Sequence, residues 1–337
     1  MAVSLQVVGV VSFYMVAALI MVFVNKLVLN AAPNLTVLFM FFQSTTTVVL
    51  LILTSFLTPL VQLPQLSLSA ARNLTPLIIV DTAGFVFNAL CLRDVEAAFY
   101  QIARGMVLPL TILVVSCTSR QAPSLKVVGC ATIVTLGFFI GTSFPAGLPA
   151  KSVMSPTALF YGFLSSMSIA LHAVLVKSSL PYVNGNPTML SFWSNLGSAL
   201  LLGALSLLKG EVVEFMGMTT KVDWDWNTFL WGNIVTGVFG FLISIAGILS
   251  VKVTSPVTHM FSSAARSVLQ VFLGVKLFGD VFTTQRAMSV FTILVGTLLY
   301  TYIKTQEPKA APASVLPTTK QDAESQAKLL HNEKEEG

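Results

Sequence analysis

The chain has 337 residues, 55% of them hydrophobic and only 10% charged, with a mean hydropathy of +0.82. Soluble domains carry about a quarter charged residues, so the medium covering this chain is lipid and a water-soluble domain is excluded. The net charge of +5 comes from singly scattered Lys and Arg with no basic cluster, which excludes nucleic acid as a partner.

Apolar runs of roughly 20 residues, the length a bilayer requires, recur about ten times. In chain order they are Ser4–Leu27, Leu35–Leu57, Thr75–Cys91, Ala97–Cys117, Lys126–Thr142, Thr157–Val176, Met189–Leu208, Asn227–Ser250, Pro256–Phe278 and Gln285–Ile303. The first lacks a basic leader and a small-residue cleavage site and reads as a retained membrane helix. Trp224, Trp226 and Trp231 open the eighth span as an interfacial aromatic belt. The longer connections are Val61–Asn73, Ser143–Pro156 and Lys209–Trp226. Backbone inside lipid must satisfy its own hydrogen bonds, so the expected fold is an all-α membrane bundle. The membrane-embedded domain spans 1–304. From Thr305 three prolines and mixed charge predict a disordered tail over 305–337. Cys91, Cys117 and Cys130 give neither a disulfide framework nor a metal spacing. Asn34 and Asn73 open glycosylation patterns too close to predicted spans for use.

An even helix number puts both termini on one side. If that side is cytosolic, its connections hold Arg72, Arg120, Lys126, Lys177, Lys252, Lys304 and Lys309, against Arg93, Lys151, Lys209, Lys221, Lys276 and Arg286 opposite. The positive-inside rule therefore does not set the orientation. An Ala-Arg pair recurs at Arg104 and Arg266, in the fourth and ninth spans. Those are equivalent positions in two halves, about 1–145 and 155–304, and an odd number of helices per half inverts the second against the first.

An Arg at a helix centre costs roughly 2.5–3.5 kcal/mol on insertion scales. Arg104 and Arg266 outnumber Asp81, the acid that lies deep in a span, with Glu96 nearer a helix end. The surplus charge points to an anion site, since guanidinium binds phosphate as a bidentate fork. His259, Ser263, Arg266 and Gln270 share one face of the ninth span, and Tyr100 and Gln101 precede Arg104 by one turn. Gly105 and Pro109 invite a kink beside Arg104. Lys26 either snorkels to the interface or contacts phosphate. Phe192, Trp193, Ser194 and Asn195 combine packing residues with groups able to stack on and hydrogen-bond a base. Gln43 and Asn88 are expected to donate hydrogen bonds between helices, with substrate contact as the alternative. No nucleophile elbow, metal-ligand spacing or P-loop is present, so neither enzyme chemistry nor a cofactor is expected.

The stretches Asn88–Arg104, Leu190–Asn195 and Val253–Gln270, with Asn25 and Lys26, resemble the drug/metabolite transporter superfamily. Within it the likeness is to the branch of nucleotide-sugar transporters and triose-phosphate translocators, GDP-fucose carriers above all. The resemblance covers nearly all of Met1–Lys304. It implies two inverted five-helix repeats, both termini cytosolic, residence in the Golgi or endoplasmic reticulum membrane, and exchange of a nucleotide sugar for a nucleoside monophosphate; a homodimer is a further partner to consider. Carried over by motif are Lys26, Arg104, Asn195 and Arg266. The seventh-span motif of GDP-sugar carriers, Phe-Tyr-Asn-Asn, reads Phe192-Trp193-Ser194-Asn195 here. The ninth-span motif of GDP-fucose carriers, Gly-Thr-Ala-Lys, reads Ser263-Ala264-Ala265-Arg266 here. On this basis Arg104 and Arg266 are expected to hold a diphosphate with Lys26 as a third charge. Asn195, with Phe192 and Trp193, would bind the base, and His259, Ser263 and Gln270 would line the sugar side. The alternatives are a sugar-phosphate exchanger and, from another class, a membrane enzyme or non-transporting scaffold.

Overall fold

The computed structural model describes residues 2–58, 63, 67–143, 155–221, 224–253, 256–281 and 283–306, the side chains of 2–8, 10, 11 and 245–264 excepted. The predicted tail lies outside the described residues from 307 onward. The described chain is a bundle of twelve helices. They are α1 (Ala2–Ala31), α2 (Thr36–Leu57), α3 (Leu68–Asp94), α4 (Ala97–Ala103), α5 (Val107–Ser119), α6 (Leu125–Thr142), α7 (Pro156–Ser179), α8 (Pro187–Leu208), α9 (Glu211–Met218), α10 (Trp226–Val253), α11 (Pro256–Phe278) and α12 (Thr284–Gln306). Nine spans among the described residues are long and apolar enough to cross a bilayer, with α4 and α5 together forming one of them. The tenth predicted span is α11, a helix of 23 residues. The protein is thus an all-α, multi-pass membrane protein, as the composition required.

Helix ends follow local chemistry. Ser67, Ser124 and Ser155 each accept a backbone N–H of the first turn, opening α3, α6 and α7, and Asn186 does the same for α8. The third span begins seven residues earlier than its apolar run, because the cap at Ser67 starts α3 ahead of Arg72 and Asn73, with Pro76 inside the helix. The connection Lys209–Trp226 contains α9, a short helix that the apolar-run reading passes over. Glu211 of α9 is buried, taking the N–H of Leu38 at 2.7 Å and Lys209 Nζ at 2.7 Å. Phe215 of α9 packs among Trp224, Trp226 and Phe229 with ring centroids 5.7–6.0 Å away. Asn34 donates to Glu214 and Asn73 lies inside α3.

The long neighbours are α3 with α7, α1 with α10, α2 with α8 and α6 with α12. In addition α2 meets α10 as α8 meets α3, α11 meets α1 as α5 meets α7, and α11 crosses α4. Where helices touch through lipid-exposed bundles, small residues let the backbones approach. Gly137 and Gly141 do this on α6: Ser289 Oγ of α12 donates to the Gly137 carbonyl at 2.6 Å. A Cβ on Gly141 would stand 2.6 Å from the Ile102 side chain and closer still to Ser289. Gly141→Val should therefore destabilise the fold by about 1–3 kcal/mol, read as a lower melting temperature of the purified protein in detergent; an unchanged value would show that α12 can yield. Cys91 and Cys130 are buried and Cys117 is exposed, all three as free thiols.

Candidate functional site

The fourth span is broken at its middle. Residues 104–106 leave the helix between α4 and α5, with Arg104 at φ −94° and ψ 7°. Gly105 closes the turn by donating to the Ile102 carbonyl at 2.8 Å, and its missing side chain leaves room for Ile293. Across the break, Gly162 of α7 admits the Ala103 carbonyl so closely that a Cβ would stand 2.6 Å from it. Ser166 Oγ lies 3.5 Å from the Arg104 carbonyl, bonding backbone that the break has released. The kink invited by Gly105 and Pro109 is thus realised as an interruption.

Arg104 is pre-oriented by a short relay. Its Nη1 donates to the Tyr100 hydroxyl at 3.1 Å, and that hydroxyl donates in turn to Asn88 Oδ1, which also accepts from Ser165 Oγ. The guanidinium carbon stands 5.2 Å from the Tyr100 ring centroid. Arg104 Nε is buried with no hydrogen-bond partner. Among the described residues, no carboxylate lies within ion-pair distance of Arg104 or Arg266. The nearest candidate by sequence, Asp81, is engaged elsewhere: Ser194 Oγ donates to its Oδ2, and His172 Nδ1 lies 3.2 Å from its Oδ1.

These groups share a cavity of about 440 Å³ enclosed by α1, α2, α3, α7, α8 and α10. Its polar lining includes Arg104, Asn88, Gln43, Asp81, His172 and Asn195. Gln43 Oε1 is buried without a partner. Asn195 turns its Nδ2 back to the Ser191 carbonyl at 2.8 Å. Along α3 the cavity residues run from Val80 to Asn88.

Beyond Asn88 a second polar cluster fastens the far end of α3 to α4. Lys26, only 7% exposed, donates through Nζ to the carbonyls of Leu92 at 2.9 Å, Arg93 at 3.0 Å and Val95 at 2.7 Å. All three Lys26 protons cap the end of α3, and Lys26 does not line the cavity. Asp280, in the turn after α11, accepts the Ala98 N–H at 2.7 Å at the start of α4. Burial there pushes its carboxyl above the ordinary range, against the N–H that favours the charged form. Arg286 pairs with Glu96 and lies over the Phe99 ring at 4.8 Å.

The remaining expected residues divide. Tyr100, 2% exposed, supports Arg104 from beneath. Gln101 is half-buried and off the cavity lining. Phe192 is buried with Val48 and Leu51, and Trp193 with Leu74, Leu77 and Leu190, so neither faces the cavity for stacking. Gln270 donates to the Ala97 carbonyl at 3.1 Å and so joins α11 to α4 rather than lining the cavity. Arg266 is half-buried, outside the cavity lining, within electrostatic range of Arg104 and Tyr14. His259 and Ser263 lie on α11 outside the residues whose side chains are described. Sequence reasoning missed the Asp81–His172–Ser194 contact and the Arg286–Glu96 pair, since each joins residues of helices distant in sequence.

Polar, charge-bearing cavities inside a lipid-embedded helical bundle are the working sites of membrane transporters as a class. The model of the Triose-phosphate Transporter family matches residues 5–301, and the chain belongs to that family. It is 35% identical over 308 residues to an uncharacterized transporter of Schizosaccharomyces pombe, covering 90% of this chain and 76% of that one. It is 29% identical over 324 residues to GDP-fucose transporter 1 of Nematostella vectensis, covering 92% and 93%. It is also 29% identical over 314 residues to a protein of Drosophila melanogaster named GDP-fucose transporter, Golgi, covering 90% and 91%.

Proposed function

We propose that the protein exchanges a nucleotide sugar, of the GDP-fucose type, for a nucleoside monophosphate across the Golgi membrane, with both termini cytosolic. The observation that carries the reading is Arg104, held at a helix break in a midspan cavity with no carboxylate within ion-pair distance among the described residues. A phosphate there recovers the electrostatic energy that burial withholds, and it also relieves the repulsion between Arg104 and Arg266. The names of the relatives supply the nucleotide sugar and the Golgi. The chain covers at least nine-tenths of each of those two.

Alternating access between two inverted repeats is the mechanism we infer. Exchanging the first five spans for the last five maps three of the main packed pairs onto other packed pairs: α3–α7 onto α10–α1, α3–α8 onto α10–α2, and α5–α7 onto α11–α1. The pairs α2–α8 and α6–α12 map onto themselves. With the cavity empty its arginine charge is unmet, so return without cargo is disfavoured and flux becomes exchange.

A sugar-phosphate exchanger is the second reading, favoured by the absence of Phe192 and Trp193 from the cavity, where a base would stack. Counterflow decides between them. Proteoliposomes preloaded with GMP, UMP or inorganic phosphate are offered labelled GDP-sugars, UDP-sugars and triose phosphates. GMP-driven uptake of a GDP-sugar is expected, with little uptake into empty vesicles. Stimulation by phosphate alone would move the protein to the second reading, and equal efflux into empty and loaded compartments would end the exchange mechanism.

A further inference from the structure

The Asp81 carboxylate is a charge in the cavity that phosphate binding does not use. It projects from α3 into the same space as Arg104, yet the two are not paired. Asp81 and Asn88 are seven residues apart on one helix, about 10 Å along its axis, and Asn88 is joined to Arg104 through Tyr100. The cavity therefore has a guanidinium at one end and, held apart by the length of α3, a carboxylate with His172 beside it at the other. A simple anion would leave the acceptors of the Asp81 end without a donor from the ligand. The complementary ligand carries phosphate at one end and N–H donors at the other, which describes a nucleotide read from the hydrogen-bonding edge of its base.

We propose, building on the nucleotide reading above, that Asp81 is the base-reading residue and that it selects guanine. The carboxylate accepts and does not donate, and its two oxygens offer about four lone-pair sites. Ser194 Oγ takes one, on Oδ2, and His172 Nδ1 faces Oδ1. Those contacts fix the carboxylate's orientation and leave acceptor capacity on both oxygens. More than a third of the Asp81 side chain remains accessible, at 37%. Among the common bases, guanine alone presents two adjacent donors, N1–H and N2–H2, that meet both carboxylate oxygens at once. Adenine and cytosine set an acceptor beside their one amino group, and uracil flanks its N3–H with carbonyls, so each would turn a lone pair toward the carboxylate. Asn195, the residue after Ser194, lines the same cavity.

Thermal-shift titration of the detergent-purified full chain tests this with GMP, IMP, UMP and pyrophosphate as ligands. IMP lacks the 2-amino group alone. The wild type should bind GMP about tenfold or more tightly than IMP, the worth of one hydrogen bond to a charged acceptor, and UMP more weakly still. Asp81→Asn should bring the GMP-to-IMP ratio close to one while leaving pyrophosphate binding intact, which also shows that the variant is folded. Asp81→Glu, which keeps the charge but displaces it by a methylene, should reduce the same ratio and serves if the Asn variant does not fold. A GMP preference that survives both substitutions would overturn the role of Asp81 and leave nucleotide transport standing. Preference for UMP in the wild type would overturn guanine selection. Equal binding of GMP, UMP and pyrophosphate would overturn base reading altogether, and the nucleotide reading with it.

Discussion

Arg104→Ala should abolish exchange in proteoliposomes, with uptake falling by about 100-fold or more, while the protein still inserts and purifies as a folded species. The magnitude follows from truncating one partner of a buried, hydrogen-bonded charge pair, which costs roughly 2–5 kcal/mol. Folding should survive because Arg104 is not part of any ion pair among the described residues. Its removal also takes an unpartnered buried Nε out of the bundle. Arg104→Lys should recover only part of the activity. It restores the charge but neither the planar fork nor the geometry set by Tyr100 Oη, which lies 3.1 Å from Nη1. Normal transport by the Ala variant would show that the anion binds elsewhere.

Lys26→Met should act on a different quantity. The substitution keeps apolar volume and removes the donors that serve the carbonyls of Leu92, Arg93 and Val95. A buried acceptor left unsatisfied costs roughly 1–3 kcal/mol, so losing all three donors at once should cost about 3 kcal/mol or more. The expected result is a sharp fall in melting temperature and in the yield of monodisperse protein, with an unchanged KM in whatever remains folded. A normal melting temperature combined with a raised KM would return Lys26 to the substrate.

The two predictions separate what the sequence could disclose from what it could not. Hydrophobic run length located the spans, because lipid leaves few other structures available, and the cost of burying a guanidinium singled out Arg104 before any contact was visible. The role of Lys26 was not legible in the same way. A lysine at a helix end looks alike whether it snorkels, binds phosphate or caps another helix, and the choice depends on where residues 92–95 come to rest. Phe192 and Trp193 were misplaced for a related reason: an aromatic pair beside polar residues does not reveal which of its neighbours face the cavity. Asp81 was visible as an acid in a membrane span, but its partner His172 is on α7, and only packing brings α3 and α7 together. Helix α9 escaped because eight residues with two glutamates lack the length and apolarity of a span.

One consequence concerns α4, the seven-residue helix that ends at Arg104. Isolated helices shorter than about 12–15 residues are marginal, so α4 has little conformational authority of its own. Its start is held by Asp280 from the α11–α12 turn, Gln270 from α11, and the Glu96–Arg286 pair that reaches α12. Its other end presents the guanidinium. A segment so short, clamped at one terminus and charged at the other, behaves as a lever whose setting is inherited from the helices of the second half. Any shift of α11 or α12 is delivered within two turns to the Arg104 guanidinium at the cavity, and an anion bound to that group would be felt by the clamp with equal free energy.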